Sequence, residues 1–169
     1  MEDSKTLLLS EKQIEQRLNR LAYQVYEDNS AEKEIIVAGI QKSGYKIAER
    51  ISAILRQISS MNVSLAEVKI NKHSQFNEEV WVSIPREQLS GKTIILVDDV
   101  LNSGKTMLYA LKPFLDADIK KIRTIVLVDR NHKSYPIAAD FVGHTLSTTL
   151  HDHVDVVFEG EKAEAWLSN

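Results

Sequence analysis

Two adjacent carboxylates followed by a short polar loop are the residues of this chain best suited to chemistry. Asp98 and Asp99 follow an apolar run, and the loop at residues 102–106 reads Asn-Ser-Gly-Lys-Thr. Ionised carboxylates only accept hydrogen bonds, so they suit sugar hydroxyls or a hard cation such as Mg²⁺. Main-chain N–H groups at the start of a helix suit a phosphate. An acidic pair followed along the chain by a phosphate-binding loop is the order expected of a site that binds a ribose 5-phosphate.

The elements around the loop must place these groups at one edge of a sheet. The apolar run at residues 93–97 predicts a central parallel strand that is buried on both faces. Ligands of open α/β sheets bind beyond the carboxyl ends of such strands. After the loop, apolar residues recur at helical spacing, and Pro113 within them predicts a bent or shortened helix. The stripe consists of Met107, Ala110, Leu111, Phe114 and Leu115.

Two other interpretations of the loop compete with a sugar phosphate site. Residues 103–106 match the end of the nucleotide P-loop pattern G-x-x-x-x-G-K-[ST]. That pattern requires glycine at position 99, where Asp99 would repel the phosphates. An ordinary strand–turn–helix with an Asp N-cap explains one exposed Asp, but it explains two after an apolar strand less well.

Residues 97–106 closely resemble the phosphoribosyl-pyrophosphate (PRPP) motif of type I phosphoribosyltransferases. The sequence of the motif is most similar to that of the bacterial pyrimidine-operon attenuator/uracil phosphoribosyltransferase family, and the resemblance runs from about residue 9 to 157. It implies that Asp98 and Asp99 hold the ribose hydroxyls and assist Mg²⁺, as catalytic and metal-binding residues. The PRPP-binding residues implied are Val97, Asp98, Asp99, Val100, Leu101, Asn102, Ser103, Gly104, Lys105 and Thr106.

A second glycine-bracketed loop follows the apolar run at residues 34–39, and it precedes a predicted helix with an apolar stripe. Such a loop is common after a strand, and a structural turn with a solvated Lys42 is the alternative interpretation. Beside the PRPP motif it resembles the family's pyrophosphate loop. The resemblance implies that the diphosphate contacts Gly39, Gln41, Lys42, Ser43 and Gly44.

A third segment, residues 129–143, follows another predicted buried strand at residues 121–130. It resembles the family's D-R-G-H-R-E-L-P-I-x-A-D-F-V-G segment, which lies in the hood over the base. Asn131 replaces the glycine, which is tolerable at positive φ because Asn visits the left-handed region. The resemblance implies that Asp129 lies near the reaction centre. It also implies a base-binding set of Val128, Arg130 and Ile137.

Residues 65–84 predict a β-hairpin, because the alternation of Val80, Val82 and Ile84 favours a strand with one buried face. In type I enzymes this region is the catalytic loop that closes over the site. The chain departs from the family here, with a shorter loop and no Tyr-Arg-Asp-Asp-like run. Lys72 or His73 could supply the cation over the diphosphate, and a solvated hairpin tip is the alternative.

The two ends of the chain carry weaker signals. Ser10 begins a capping box for an amphipathic helix at residues 10–28, whose charged side is expected to be solvated. Near the C-terminus, alternating apolar residues from 154 to 158 predict an edge strand, followed by a short apolar tail at residues 163–167. His151 and His153 would share one face of a strand, and we expect both to be solvated rather than metal ligands.

Composition predicts the class of protein. With 169 residues, 43% of them hydrophobic, the chain can form one domain over residues 1–169. The absence of cysteine excludes disulfides and thiolate sites and is compatible with a cytoplasmic protein. We expect no secretory signal and no membrane-spanning run. The resulting prediction is an α/β fold of type I phosphoribosyltransferase kind: a doubly wound, mostly parallel sheet flanked by helices, with a β-hairpin flexible loop and a small hood.

The resemblance implies Mg²⁺-dependent transfer of a phosphoribosyl group from PRPP to a nitrogenous base, with uracil favoured by family likeness alone. It also implies a homodimer or higher homo-oligomer. The alternative function is an RNA-binding attenuator that senses nucleotides, with Arg17, Arg20, Lys42 and Arg56 as its cations. RNA is disfavoured because attenuators usually carry other residues where this chain has Asn19, Tyr23 and Ser43, and the net charge is −3.

Overall fold

The computed structural model describes residues 4–71 and 79–169. The α-helices within these ranges are α1 Glu11–Asp28, α2 Ser43–Ile58, α3 Arg86–Leu89, α4 Lys105–Ala110 and α5 Lys112–Leu115. The strands of the described residues are β1 Lys5–Leu9, β2 Glu34–Ile40, β3 Asn62–Asn71, β4 Glu79–Val82, β5 Thr93–Leu101, β6 Lys121–Asp129, β7 Phe141–Thr145, β8 His153–Glu159 and β9 Lys162–Ser168.

Six strands form the main sheet in the order β4-β3-β2-β5-β6-β7, and only β4 is antiparallel to its neighbour. Both faces are apolar, because consecutive residues of β2 enter different cores. Ile35 and Val37 pack with α1 and α2, whereas Ile36 and Ala38 pack with α3, α4 and α5. The predicted mostly parallel, doubly wound α/β sheet is therefore confirmed.

A second sheet, which we call the hood sheet, consists of β1, β9 and β8 in that order. The predicted β8 edge strand is confirmed, because Val154 and Val156 are buried and alternate with exposed residues. Residues 163–167, predicted as a tail, instead belong to the central strand β9. Ala163 and Ala165 face the core at a spacing of two, which is a strand pattern that their small side chains make inconspicuous.

Helix α1 begins with the predicted capping box between Ser10 and Gln13. Its polar side is mostly exposed, as predicted, and Arg20 also donates to the carbonyl oxygens of Val142 (3.1 Å) and Gly143 (2.7 Å) on β7. β7 is an edge strand, so its outer carbonyls need partners other than a neighbouring strand. The guanidinium of Arg20 supplies them.

Three local predictions need correction. The predicted helix after residue 104 is divided into α4 and α5 near Pro113, as expected, but Leu115 is 69% exposed and does not belong to the buried stripe. β4 ends at Val82, so Ile84 lies beyond the hairpin. His151 lies in a turn before β8, so it does not share a strand face with His153.

The hairpin itself is confirmed by the antiparallel pairing of β3 with β4. Lys72 and His73, predicted as possible cations over the diphosphate, lie outside the described residues. None of the helices in the described ranges is long and apolar enough to cross a membrane.

Candidate active site

The acidic pair belongs to β5, although the strand predicted from the apolar run ended at residue 97. Asp98 lies opposite Val126 and Val100 opposite Val128, so the ladder with β6 continues past both carboxylates. Consecutive residues of a strand point to opposite faces, and we therefore infer that the two carboxylates do not face one side together. Asp98 is 8% exposed, and Asp99 is half-buried.

Each carboxylate is oriented by the residue that follows it. The N–H of Asp99 donates to Oδ1 of Asp98 at 2.8 Å, and the N–H of Val100 donates to Oδ1 of Asp99 at 2.7 Å. Hydrogen bonds from N–H groups to the charged form hold a carboxylate in one rotamer. The acidic pair is therefore a prepared acceptor site rather than two freely rotating side chains.

The loop after β5, which we call the phosphate loop (residues 102–106), turns at Gly104. This residue adopts φ +88° and caps α4. A methyl group at its Cα would lie 2.6 Å from Cγ2 of Ile137, so both conformation and space require glycine. A small pocket of about 30 Å³ lies at this loop and is lined by Asp98, Val100, Leu101, Asn102, Ser103, Gly104, Thr106 and Met107.

The predicted pyrophosphate loop lies directly beside the acidic pair. A Cβ at Gly44 would come within 2.8 Å of the Val97 carbonyl oxygen and 3.0 Å of Oδ1 of Asp98. A Cβ at Gly39 would collide with the backbone of Tyr45 at 2.4 Å. The two glycines therefore allow α2 to begin against β5, which places this loop next to Asp98.

The polar residues of the same loop are open to solvent. Gln41 and Lys42 are exposed and Ser43 is half-buried, and the Gln41–Lys42 peptide bond is cis. The N–H of Gln41 donates to the carbonyl oxygen of Val68 at 2.9 Å, which fixes the loop to β3. The loop thus presents polar groups while its ends are fixed to the sheet.

Residues 130–140, which we call the hood loop, pack against the phosphate loop. The N–H groups of Ser134 and Tyr135 both donate to the carbonyl oxygen of Ser103, at 2.9 and 3.0 Å. Ile137 lies against Gly104. The two loops therefore form one unit at the carboxyl ends of β5 and β6.

The start of the hood loop is fixed by two charged residues that are nearly buried. Asp129 is 8% exposed and accepts from the N–H of Asn131 at 2.8 Å, where Asn131 adopts φ +54°, as its replacement of glycine predicted. Arg130 is 7% exposed, and its guanidinium donates to other protein groups. Val128 is fully buried and paired with Val100 and His144 inside the main sheet, so the structure does not expose this predicted base-binding residue to a ligand.

A cleft of about 550 Å³ opens beside Arg130 and Asn102, and strands β8 and β9 of the hood sheet complete its walls. On one side of it, the N–H of Thr149 donates to the carboxylate of Asp152 at 2.6 Å. This hydrogen bond lowers the pKa of Asp152. The hood sheet therefore borders the same region as the phosphate loop.

The donor set fits a magnesium ion that is held mainly by its ligand. Within residues 4–71 and 79–169, no group of three or more His, Cys, Asp and Glu side chains could hold a metal alone. Mg²⁺ commonly binds one or two carboxylates together with substrate phosphates and water. Asp98 and Asp99 are the predicted carboxylates, and the neighbouring pyrophosphate loop would hold the phosphates.

Comparison with known families identifies the domain. The model of the phosphoribosyl transferase domain family matches residues 5–159. The chain belongs to this family. It is a phosphoribosyltransferase, as its PRPP motif predicts.

Curated relatives agree with the resemblance to the attenuator type. The chain is 34% identical to the "Bifunctional protein PyrR" of Brevibacillus brevis over 160 residues, which covers 90% of this chain and 89% of the relative. It is 35% identical to the "Bifunctional protein PyrR" of Clostridium novyi over 160 residues, covering 90% of each. The hypoxanthine phosphoribosyltransferase of Trypanosoma cruzi superposes with a TM-score of 0.78 at 14% identity, covering 95% of both chains, which supports the fold.

Several site contacts have no sequence signal of their own. The main-chain donors Ser134 and Tyr135 lie in an exposed polar stretch, and Thr148 and Thr149 lie in a loop between predicted strands. Main-chain contacts depend on backbone geometry rather than residue type, so a sequence pattern does not report them. The likeness of residues 129–143 to the hood segment was the one signal that pointed to them.

Proposed function

We propose that this phosphoribosyltransferase transfers the 5-phosphoribosyl group of Mg²⁺-bound PRPP to a nitrogenous base, with uracil favoured, and releases pyrophosphate. We also propose that residues 1–169 act as one catalytic domain. The observation that carries the proposal is the convergence of the acidic pair, the phosphate loop and the pyrophosphate loop. Gly44 lies against Asp98, and Ser103 accepts hydrogen bonds from the hood loop.

Each part of the site has a separate task in this proposal. Asp98 and Asp99 accept hydrogen bonds from the ribose hydroxyls, which they can do because ionised carboxylates are acceptors only. The main-chain N–H groups and the hydroxyl groups of residues 102–106 donate hydrogen bonds to the 5-phosphate. Residues 41–44 donate to the diphosphate, and Mg²⁺, when bound, would neutralise negative charge on this leaving group.

The reaction needs no protein nucleophile. A ring nitrogen of the base loses its proton to water and forms the bond to C1. The bond from C1 to the pyrophosphate oxygen breaks, and the electron pair of that bond leaves with pyrophosphate. The transition state has oxocarbenium character, so the protein contributes by positioning and by stabilising charge. Asp129, nearly buried at the end of β6, is proposed to lie beside the reaction centre. Ile137 and the main chain of Arg130 are proposed to lie around the base, because the Arg130 guanidinium is bonded to other protein groups.

The test is PRPP consumption with Mg²⁺ and a panel of uracil, hypoxanthine, guanine, xanthine, adenine and orotate. Turnover with uracil is the expected result, and turnover with another base alone would correct the substrate but keep the reaction. PRPP should also raise the thermal stability of the wild type, because a ligand that binds only the folded state stabilises it. Neither turnover nor stabilisation by PRPP would refute the proposal.

RNA binding is the second candidate, because the two relatives described above are named bifunctional. The four cations proposed for RNA are spread over the molecule. Arg56 donates to Val63 on β3 and Arg20 to β7, and these strands are four strand spacings apart, roughly 19 Å. Arg20 and Arg56 are also engaged with main-chain carbonyls. We therefore expect filter binding to give no tight, sequence-selective RNA complex, and a salt-dependent selective complex would reinstate this function.

A further inference from the structure

Arg130 connects three segments of the active site through one buried guanidinium. Its Nη1 donates to Oδ1 of Asn102 at 2.8 Å, and its Nε donates to Oγ1 of Thr148 at 3.1 Å. Its Nη2 donates to the carbonyl oxygen of Thr149 at 3.1 Å. The main-chain N–H of Arg130 also donates to the carbonyl oxygen of Leu101 at 3.2 Å. Strand β6, the phosphate loop and the segment after β7 therefore meet at this residue.

The contact with Asn102 matters most for the site, because Asn102 is the first residue of the phosphate loop. Its side-chain oxygen is held by a charged donor, and charge-assisted hydrogen bonds are stronger than neutral ones. The guanidinium is planar, so fixing Nε, Nη1 and Nη2 on three partners fixes its orientation. With Arg130 only 7% exposed, water is a poor substitute for these partners.

We propose that Arg130 is a positioning residue, which holds the phosphate loop through Asn102 and keeps it in register with residues 148–149. PRPP affinity then depends on Arg130 although its side chain need not touch PRPP. This inference rests on the proposed function for its kinetic consequence, and it differs from a direct contact between Arg130 and the base. The two roles make opposite predictions.

The variants that separate these roles are Arg130→Met, Asn102→Ala and their combination. Asn102→Ala removes the oxygen acceptor but keeps the main-chain N–H. If Arg130 acts through Asn102, each single variant lowers PRPP affinity about tenfold or more, the size expected for a hydrogen bond to a charged group. The double variant is then no weaker than the weaker single variant, because both remove one interaction.

Arg123→Met is the matched control, since Arg123 lies on β6, the strand that Arg130 directly follows, and pairs with Asp28 rather than with the site. It should leave PRPP affinity unchanged. Arg130→Lys keeps the charge but cannot reproduce three oriented contacts, so it should restore affinity only in part. In steady-state kinetics the KM for PRPP should rise in Arg130→Met, while the KM for the base stays near its wild-type value.

Hydrogen exchange of the ligand-free protein provides a readout that does not depend on activity. Amides of residues 100–106 should exchange faster in Arg130→Met and Asn102→Ala, whereas amides of α1 and β2 should keep their wild-type rates. Unchanged exchange at residues 100–106, or additive losses of PRPP affinity, would overturn the positioning role. If the wild type binds no PRPP, the proposed function fails, and the exchange result still decides whether Arg130 positions the loop.

Discussion

Gly104→Ala tests whether the phosphate loop has its shape because of both backbone conformation and close packing. At φ +88° an alanine is strained by roughly 1–2 kcal/mol, in part offset because alanine also restricts the unfolded chain. The new methyl group would lie 2.6 Å from Cγ2 of Ile137, about 1 Å inside normal contact. Overpacking of this kind costs roughly 1–3 kcal/mol. We expect a total loss of about 2–4 kcal/mol in the free energy of unfolding.

The matched control is Gly91→Ala, because Gly91 has φ +69° and a methyl group at its Cα would have no atom within 4 Å. It shares the conformational penalty but not the collision, so it should lose only about 1 kcal/mol. For a chain of this length about 1 kcal/mol corresponds to a fall of roughly 2–4 °C in Tm. Gly104→Ala should therefore lower Tm by roughly 4–16 °C, and both proteins should remain folded at about 25 °C.

The assays are urea unfolding and calorimetric titration with PRPP and Mg²⁺. Gly104→Ala should also lose PRPP affinity, because the loop must move away from the hood loop to accept the methyl group. Ile137→Ala in the same chain should relieve part of the loss of stability, since it removes the carbon that is contacted. Equal losses of stability for the Gly104 and Gly91 variants, with wild-type PRPP affinity for both, would refute this account of the loop.

Three further predictions concern the acidic pair, a histidine and the hood sheet. Asp99→Asn should keep the wild-type circular dichroism spectrum and abolish Mg²⁺–PRPP binding, and unchanged affinity by calorimetry would contradict the assignment. Burial and then the charge of Arg17 lower the pKa of His144 below 6.5, so the folded state favours the neutral form. Stability should therefore fall as the pH drops below about 6.5, and Arg17→Met should raise this pKa in an NMR titration. Arg50, which donates to the Glu161 carbonyl oxygen, anchors the hood sheet to α2. Arg50→Met should lower the free energy of unfolding by about 1–2 kcal/mol without changing PRPP affinity, which urea unfolding and calorimetry would show.

The main sheet could be predicted from the sequence because its strands are apolar on both faces. Continuous apolar runs lie at residues 35–38, 94–97 and 125–128, and such runs identify buried parallel strands without knowledge of their partners. The hood sheet gives a weaker signal. In β9 the buried positions are Ala163 and Ala165, and β1 is a five-residue strand at the edge of a small sheet. Both strands are specified by their pairing with distant parts of the chain.

The sequence also predicted part of the arrangement of the site residues. Asp98, Gly44 and Gly104 follow apolar strands, and parallel strands end at one edge of the sheet, so their proximity follows from topology. The extension of β5 through residues 98–101 could not be predicted, because aspartate disfavours strands. Pairing with β6 overrides that preference. The strand predicted from the apolar run therefore ended four residues too early.

The extension of β5 has a chemical consequence for the acidic pair. A turn at residue 98 would have left both carboxylates free to converge on one cation, whereas a strand directs neighbouring side chains to opposite faces. Asp98, nearly buried against Gly44, is then confined to the interior of the site, and Asp99 has more access to solvent. The two carboxylates are therefore poorly placed to chelate one metal ion between them. Under the proposed function we therefore expect the phosphates of PRPP to supply most ligands of the cation, since no group of three or more His, Cys, Asp and Glu side chains in the described part of the chain could hold a metal alone.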